Sequence, residues 1–394
     1  MDILISGASV AGPALALWLS RYGHDVTVVE KAPALRGGGY AVDFRGAVHL
    51  ETLNRMGLRA ALEVRATHMG DIAIVDGTGA QVAALPSAIF SGDLEVLRGD
   101  LAAVLYAATR ERVRYRFGDH ITAIAQDDAG VDVDFASGRR RRFDLVAGCD
   151  GVHSGVRRLV FGDSPQHTRP LGVYGGIFTM PATMHLHRSG IMYSEPGRSV
   201  TVMSPHGGDQ IVSLSFYEPG LGFDHRDTAQ QRRIIRERFA GVGWRTPELL
   251  DAMDAAADFW FDESTQIHLD SWSSGRVVLL GDAGFAGGPG GNGTGLAVVG
   301  AHVLAGELDR ARGEHRAAFA RYETLMRPYV ATGQKQAGGS PDFLVPTTWK
   351  KIAQRNRFFK TIRYVPPMRR VFKYFATRTA TAFDLPEYEV PALT

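Results

Sequence analysis

Gly7, Ser9 and Gly12, in the stretch ISGASVAG, stand at the spacing of a turn that receives a pyrophosphate. Such a turn works because its backbone lies close to the phosphates while a helix N-terminus offers them unpaired N–H groups and partial positive charge. The usual middle glycine is Ser9 here, small enough to keep the approach close and able to bond a phosphate oxygen itself. Glu30 follows Gly12 by 18 positions, near the ~20 expected of a carboxylate that accepts ribose hydroxyls; Lys31 stands beside it. A tight strand-to-helix turn without ligand is the alternative for these residues alone. A literal G-x-G-x-x-G occurs at Gly288, Gly290 and Gly293, but no strand runs directly into it and no acid-ended strand follows, so it fails as a dinucleotide fingerprint.

The elements around the first turn have the required order. DILIS reads as a short buried strand and VAGPALALWLSRYG as a helix ending at Gly23, with Pro13 in its first turn where a missing N–H costs little. DVTVVE reads as a second strand closing at Glu30. Ile3 to Glu30 spans 28 residues, close to the ~30 of a βαβ crossover.

Three further stretches carry charged residues at the ends of strands. FDLVAGCDGVHSGVRRLVF, residues 143–161, is a strand running into Asp150-Gly151. GRVVLLGDAGFAGGPGGNGTGLAVVGAHVLAGEL, residues 275–308, is a strand ending in Gly281-Asp282, then a glycine-rich loop and a helix from about Leu296. EVLRGDLAAVL, residues 95–105, places Arg98 at the start of a helix.

In this order the motifs resemble the group A flavin monooxygenases, the para-hydroxybenzoate hydroxylase-like family. The resemblance rests on Gly7/Gly12 with Glu30, Arg98 with Leu101, Asp150-Gly151-x-x-Ser154-x-Val156-Arg157, Gly281-Asp282-Ala283 and Pro289. Tyr322-Glu323 and Arg327-Pro328 extend it to about residue 330. Within the family the chain looks most similar to compact enzymes acting on polyketide or aromatic natural products, including tetracycline-inactivating ones. It departs at Ser9, at Phe285 where many members have histidine, in a glycine loop about one residue shorter, and at Gly300-Ala301.

The resemblance implies an α/β fold: a Rossmann-like FAD-binding domain with an inserted mixed β-sheet substrate domain and C-terminal helices. Segments 1–69, 95–168 and 273–332 would build the first, a hairpin at 70–94 and segment 169–272 the second, and 333–394 the helices. It implies FAD, with NADPH or NADH as a transient co-substrate that has no domain of its own. Gly7, Ser9 and Gly12 would take the pyrophosphate, and Glu30 the adenosine ribose. Arg98 would sit beside the phosphates or ribityl chain, Asp282 at the ribityl or pyrophosphate region, and Arg45 near the flavin, while Asp150 would help hold the fold around the two cofactors. Pro289, Gly291, Gly293 and Thr294 would bring a helix end to the flavin pyrimidine ring, where backbone N–H groups stabilise negative charge. Surface salt bridges or strand-end turns are the alternatives for Arg45, Asp150 and Asp282.

The reaction implied is hydroxylation of an aromatic or polyketide-like small molecule by O2 through a C4a-hydroperoxyflavin. A flavin-bearing cyclase without redox chemistry and a non-catalytic flavin-binding protein are the alternatives. Flavin-dependent halogenation lacks its Trp-x-Trp-x-Ile signature. Residues 170–218 alternate as strands, and Tyr174, Phe178, Met192, Phe216 and Phe285 are the candidate substrate contacts, with plain core the competing role. No catalytic acid–base pair can be picked.

The bulk properties agree with these readings. A chain of 394 residues can hold two domains, and a net charge of +2 points to neither nucleic acid nor an acidic substrate. Cys149 is the single cysteine, so no intrachain disulfide forms, as expected in the cytoplasm. No run of about 18 uninterrupted apolar residues occurs, so no membrane span is expected. The run Arg139–Arg142 between VDVDF and FDLVAG reads as a solvated hairpin. His185 and His187 have no carboxylate cluster, so no metal is expected. TGQKQAGGSPD, residues 332–342, reads as a mobile connection. The basic stretch 350–378 reads as two packed helices, with a membrane surface or acidic partner as the alternative. Monomer and homodimer both remain open.

Overall fold

The computed structural model describes residues 1–338, 340–362 and 383–389. The apolar strand Asp2–Ser6 lies inside a six-stranded sheet ordered Ser273–Ser274, Val277–Leu279, Leu145–Gly148, Asp2–Ser6, Asp25–Glu30, Arg114–Phe117. All its pairs are parallel except the first. A parallel sheet must be covered on both faces, which is why Ile3, Leu4 and Ile5 are at most 2% exposed. The chain leaves the first strand for Asp25–Glu30 on one side, whereas Leu145–Gly148 flanks it on the other. Strand order reverses there, and the crevice at such a point is where open α/β sheets hold ligands.

The helix Ala11–Arg21 buries Ala11 through Leu19 against the sheet, and its chain turns at Gly23 with φ +77°. The helix Gly293–Arg310 packs on it, with the Trp18 and His302 rings 4.8 Å apart.

A seven-stranded sheet forms the other half, ordered Trp260–Ile267, Thr168–Met180, Gln210–Tyr217, Arg198–Ser204, Ser189–Glu195, Ile72–Val75, Gln81–Leu85. The hairpin read at residues 71–85 joins it through a parallel pairing of Ile72–Val75 with Ser189–Glu195. Its two faces differ. Tyr174, Phe178, Met180, Val200, Val202, Val212, Leu214 and Phe216 form a core with Ile234, Ile235, Phe239, Leu249, Leu250 and Met253 of helices Thr228–Phe239 and Thr246–Ala255. The opposite face carries Gly175, Ile177, Thr179, Thr201, Met203, Ser213 and Ser215, all half-buried.

Two local readings hold in the described residues, the solvated hairpin at the arginine run and a packed helix in the basic C-terminal stretch, and one is corrected, the mobile connection. The arginine run forms the second strand of that hairpin, Arg140–Phe143, paired antiparallel with Val131–Phe135. Its charges are matched: Arg140 lies 3.7 Å from Asp134, Arg141 2.6 Å from Asp2 and Arg142 2.7 Å from Asp132. Residues 332–337 are no mobile connection but the last turns of helix His315–Ala337. Gln334 there donates 2.8 Å to the Ile267 carbonyl, tethering the turn to the sheet. Of the basic C-terminal stretch, Trp349–Ile362 is a helix that buries Ile352 and Phe359 while Phe358 is exposed. Val365, Pro366, Pro367, Met368, Val371, Phe372 and Phe375 lie outside the described residues. No described helix is long and apolar enough to cross a membrane.

Candidate cofactor and substrate cleft

Gly7 has φ +106°, and a β-carbon on it would lie 2.4 Å from the Cys149 carbonyl oxygen. One on Gly12 would lie 1.9 Å from the Gly7 oxygen. Both positions therefore exclude a side chain, and the turn hugs the end of Leu145–Gly148. The Glu30 carboxylate accepts from the Ala8 N–H at 2.9 Å and the Ala32 N–H at 2.8 Å, one on each oxygen. These bonds hold it against the turn and leave lone pairs for a further donor. Lys31 is exposed beside it. Ser9, half-buried, accepts 2.9 Å from Arg98 Nη2.

Arg98 is fixed by its own backbone. The strand Leu94–Leu97 pairs with Ala41–Phe44, and the Arg98 N–H donates to the Tyr40 carbonyl at 3.1 Å. Asp282 begins the turn after Val277–Leu279. The residue is exposed, yet protein atoms crowd its carboxyl. Being hemmed in raises it above the ordinary carboxylate range, and the Arg98 guanidinium opposes that rise. The Tyr40 hydroxyl is raised by the same loss of water and feels Arg98, Asp282 and Asp262. These four groups therefore lie within electrostatic reach of one another.

A third turn closes on the same place. A β-carbon on Gly281 would stand 3.1 Å from Ala11 Cβ and 3.3 Å from Ala297 Cβ, so the first helix and Gly293–Arg310 meet at it. One on Gly293 would be 3.4 Å from Asp282 Oδ1. The helix starts at Gly293, earlier than the sequence suggests, because Asn292 takes a left-handed φ of +55° and turns the chain. The Gly293, Thr294 and Gly295 amides thus form its first turn, without helical acceptors. Pro289 is half-buried, and Gly291 is buried where Gly333 passes: a β-carbon on Gly333 would be 2.7 Å from the Gly291 oxygen.

Two further charged candidates bond to protein groups. Arg45 is buried, paired with Asp43 through Nε and donating 3.0 Å from Nη2 to the Ile89 carbonyl. Asp150 accepts from Gly155 N at 2.8 Å and Val156 N at 3.2 Å, and from the Ser154 hydroxyl, so it caps the helix Gly155–Phe161. Arg157, which carries no role in the sequence reading, donates 2.9 Å to the Ala283 carbonyl and ties that turn to the Gly-Asp-Ala turn.

The five substrate candidates fall in three different places. Tyr174, Phe178 and Phe216 point into the core away from the cofactor half, and the Tyr174 hydroxyl donates 3.0 Å to the Leu221 carbonyl. Met192 stands opposite Thr201, on the other face of the sheet from these three, where it is buried with Ile72, Ile74 and Phe359, and Phe285 lies under Trp272 at 4.6 Å. Large aromatics fill cores, and alternation alone does not say which face is the core. The face toward the cofactor half is identified by the even-numbered residues of Trp260–Ile267. The Trp260 ring is 6.4 Å from that of Tyr40, Asp262 meets His153, and Gln266 donates 3.0 Å to the Gly287 carbonyl. That face presents Thr179, Thr201, Ser213 and Ser215 among Ile177, Met203 and Trp260. Arg355 closes one side, donating 3.1 Å to Ser194 Oγ; burial lowers its pKa to about 10. The period-two hydroxyls of SVTVMS and QIVSLSFY were the signal in the sequence.

The residues fit a long nucleotide: two glycines that leave room for phosphates, two helix N-termini, one guanidinium and two carboxylates along one crevice. The FAD binding domain family matches residues 1–331. An uncharacterized protein of Mycobacterium tuberculosis (strain ATCC 25618 / H37Rv) is 41% identical over 340 residues, covering 84% of this chain and 91% of that protein. A flavin-dependent monooxygenase of Legionella longbeachae is 33% identical over 397 residues, covering 99% and 98%. The crystal structure of the tetracycline destructase Tet(51) superposes with a TM-score of 0.84 at 32% identity, covering 98% and 99%.

Proposed function

The chain belongs to the FAD-binding family as a flavoprotein monooxygenase, and from that premise we propose that it hydroxylates an aromatic or polyketide-like small molecule, using O2 and NADPH or NADH. One oxygen atom enters the product, the other leaves as water, and the nicotinamide is oxidised. Bound FAD supplies the electron relay and the oxygen activation.

The observation that carries this reading is the convergence of turns at residues 7–12, 281–282 and 293–295 with Arg98. The first-helix N-terminus and Arg98 bind the pyrophosphate, and Ser9 is aimed by Arg98. Glu30 orients the ribose with the lone pairs its two backbone bonds leave. Asp282 accepts from the ribityl hydroxyls. The first-turn amides of Gly293–Arg310 stabilise negative charge on the ring. Tyr40 and Trp260, both exposed with their rings 6.4 Å apart, flank the joint between the halves.

The substrate lies against the Ser/Thr face of the seven-stranded sheet. Hydroxyls spaced among Ile177, Met203 and Trp260 suit a flat apolar body with several oxygen substituents. The test is purification and incubation with FAD, then nicotinamide oxidation with a panel of phenolic and polyketide compounds under isotopically labelled O2. Labelled product and compound-stimulated oxidation are expected. A protein that stays colourless with excess FAD overturns the reading.

A further inference from the structure

His153, His225 and Asp262 come from three separate parts of the chain and meet where the two halves touch. We propose that they form a binding site for a divalent cation of the zinc class, which would cross-link the Asp150–Ser154 turn to the edge strand of the substrate sheet.

His153 Nε2 lies 3.0 and 2.8 Å from the two Asp262 oxygens. His225 Nδ1 lies 3.7 Å from Asp262 Oδ1, beyond hydrogen-bond reach yet turned toward it. The three ligand atoms all lie within 4.8 Å of one another. In a tetrahedron of zinc bonds of about 2.0–2.2 Å, ligand atoms stand about 3.4 Å apart. The observed separations bracket that value, and rotations of two half-exposed rings close the difference.

A plain hydrogen bond between halves needs one imidazole, but here the second ring stands 4.0 Å from the first. Two imidazoles and one carboxylate are the donor set of open zinc sites, with a fourth position left for water. The Asp262 side chain is 8% exposed while the rings are 47% and 48% exposed, so the carboxylate forms the floor and the cation enters from solvent.

The surroundings brace each ligand. Asp262 Oδ1 accepts 2.8 Å from the Glu263 N–H. The His153 carbonyl accepts 2.8 Å from Arg158 Nη1. The His225 ring packs edge-on against Phe223 at 4.3 Å. Sequence spacing could not show this constellation, since 72 residues separate the two histidines and 37 separate His225 from Asp262.

The test is equilibrium dialysis of the chelator-treated, full-length protein against Zn2+, with metal analysis and melting curves. One zinc per chain is expected, with a rise in Tm. At least tenfold weaker binding and loss of that rise are expected in His225→Ala and Asp262→Asn, while His185→Ala behaves as the parent. His225 is at the surface, so its variant reads the site even if Asp262→Asn misfolds. No retained zinc, or equal binding by parent and His225→Ala, overturns the proposal.

Discussion

His49 occupies the volume that a β-carbon at position 295 would need, with its imidazole Cε1 only 2.2 Å from that point. The ring cannot retreat. Its Nδ1 accepts from the Arg45 N–H at 3.0 Å and its Nε2 meets the Tyr329 hydroxyl at 2.8 Å. Gly295→Ala must therefore push the start of helix Gly293–Arg310 off its seat, at a cost of about 1–3 kcal/mol. A lower denaturant midpoint and weaker FAD retention are expected together. An alanine variant with both quantities unchanged would contradict the packing.

The same ring makes the fold acid-sensitive. Burial holds the His49 pKa at about 4, and His302, buried against Trp18, is held at about 4 as well. The folded state thus prefers both imidazoles neutral, whereas in the unfolded chain they take a proton near pH 6.5. Their contribution is fully present above that pH and is lost as pH falls toward 4, amounting to about 2–3 kcal/mol per group at pH 4.5. Urea unfolding at pH 7 and pH 4.5 measures it. His302→Gln should show a smaller difference between the two pH values than the parent. An unchanged difference would mean His302 is not a source of the acid sensitivity.

Arg98 and Ser9 separate charge from shape in the cofactor turn. Losing a guanidinium bonded to an anion costs about 1.5–3 kcal/mol, so Arg98→Met should weaken FAD binding about 10- to 100-fold. Ser9→Gly restores the backbone approach the fingerprint favours and loses one hydroxyl, so a change of less than about fivefold is expected. Fluorescence titration of the apoprotein with FAD compares them. Equal losses in both variants would contradict the assignment of the dominant role to Arg98.

What could be read from the sequence divides along a physical line. The strand–turn–helix order at Gly7 and Gly12 was visible because local chemistry dictates it: each glycine stands where a β-carbon would strike backbone. Asp282 and Arg98 were visible because each closes or follows a strand. Asp150 was visible for the same reason and braces the start of Gly155–Phe161, whereas Arg45, singled out only through the resemblance, pairs with Asp43. Which partner a charge finds depends on tertiary approach. Tyr40, Trp260 and the His153–Asp262 contact were invisible for that reason: each joins residues far apart in sequence across the joint.

The two faces of the seven-stranded sheet give the sharpest test of where substrate lies. Ser213 and Tyr174 lie on neighbouring strands but point to opposite sides, Ser213 with Ile177 and Tyr174 with Phe216. Tyr174 is fully buried, and its hydroxyl satisfies the Leu221 carbonyl. Tyr174→Phe leaves that carbonyl without its donor and should cost about 1–2 kcal/mol of stability with KM unchanged. Ser213 is half-buried, with its hydroxyl 3.4 Å from that of Ser215. Ser213→Leu places an apolar branch on the face toward the cofactor half, so KM should rise at least tenfold, while the denaturant midpoint should move less than in Tyr174→Phe. If Tyr174→Phe instead raised KM and Ser213→Leu lowered only stability, the substrate would lie on the helix-covered face.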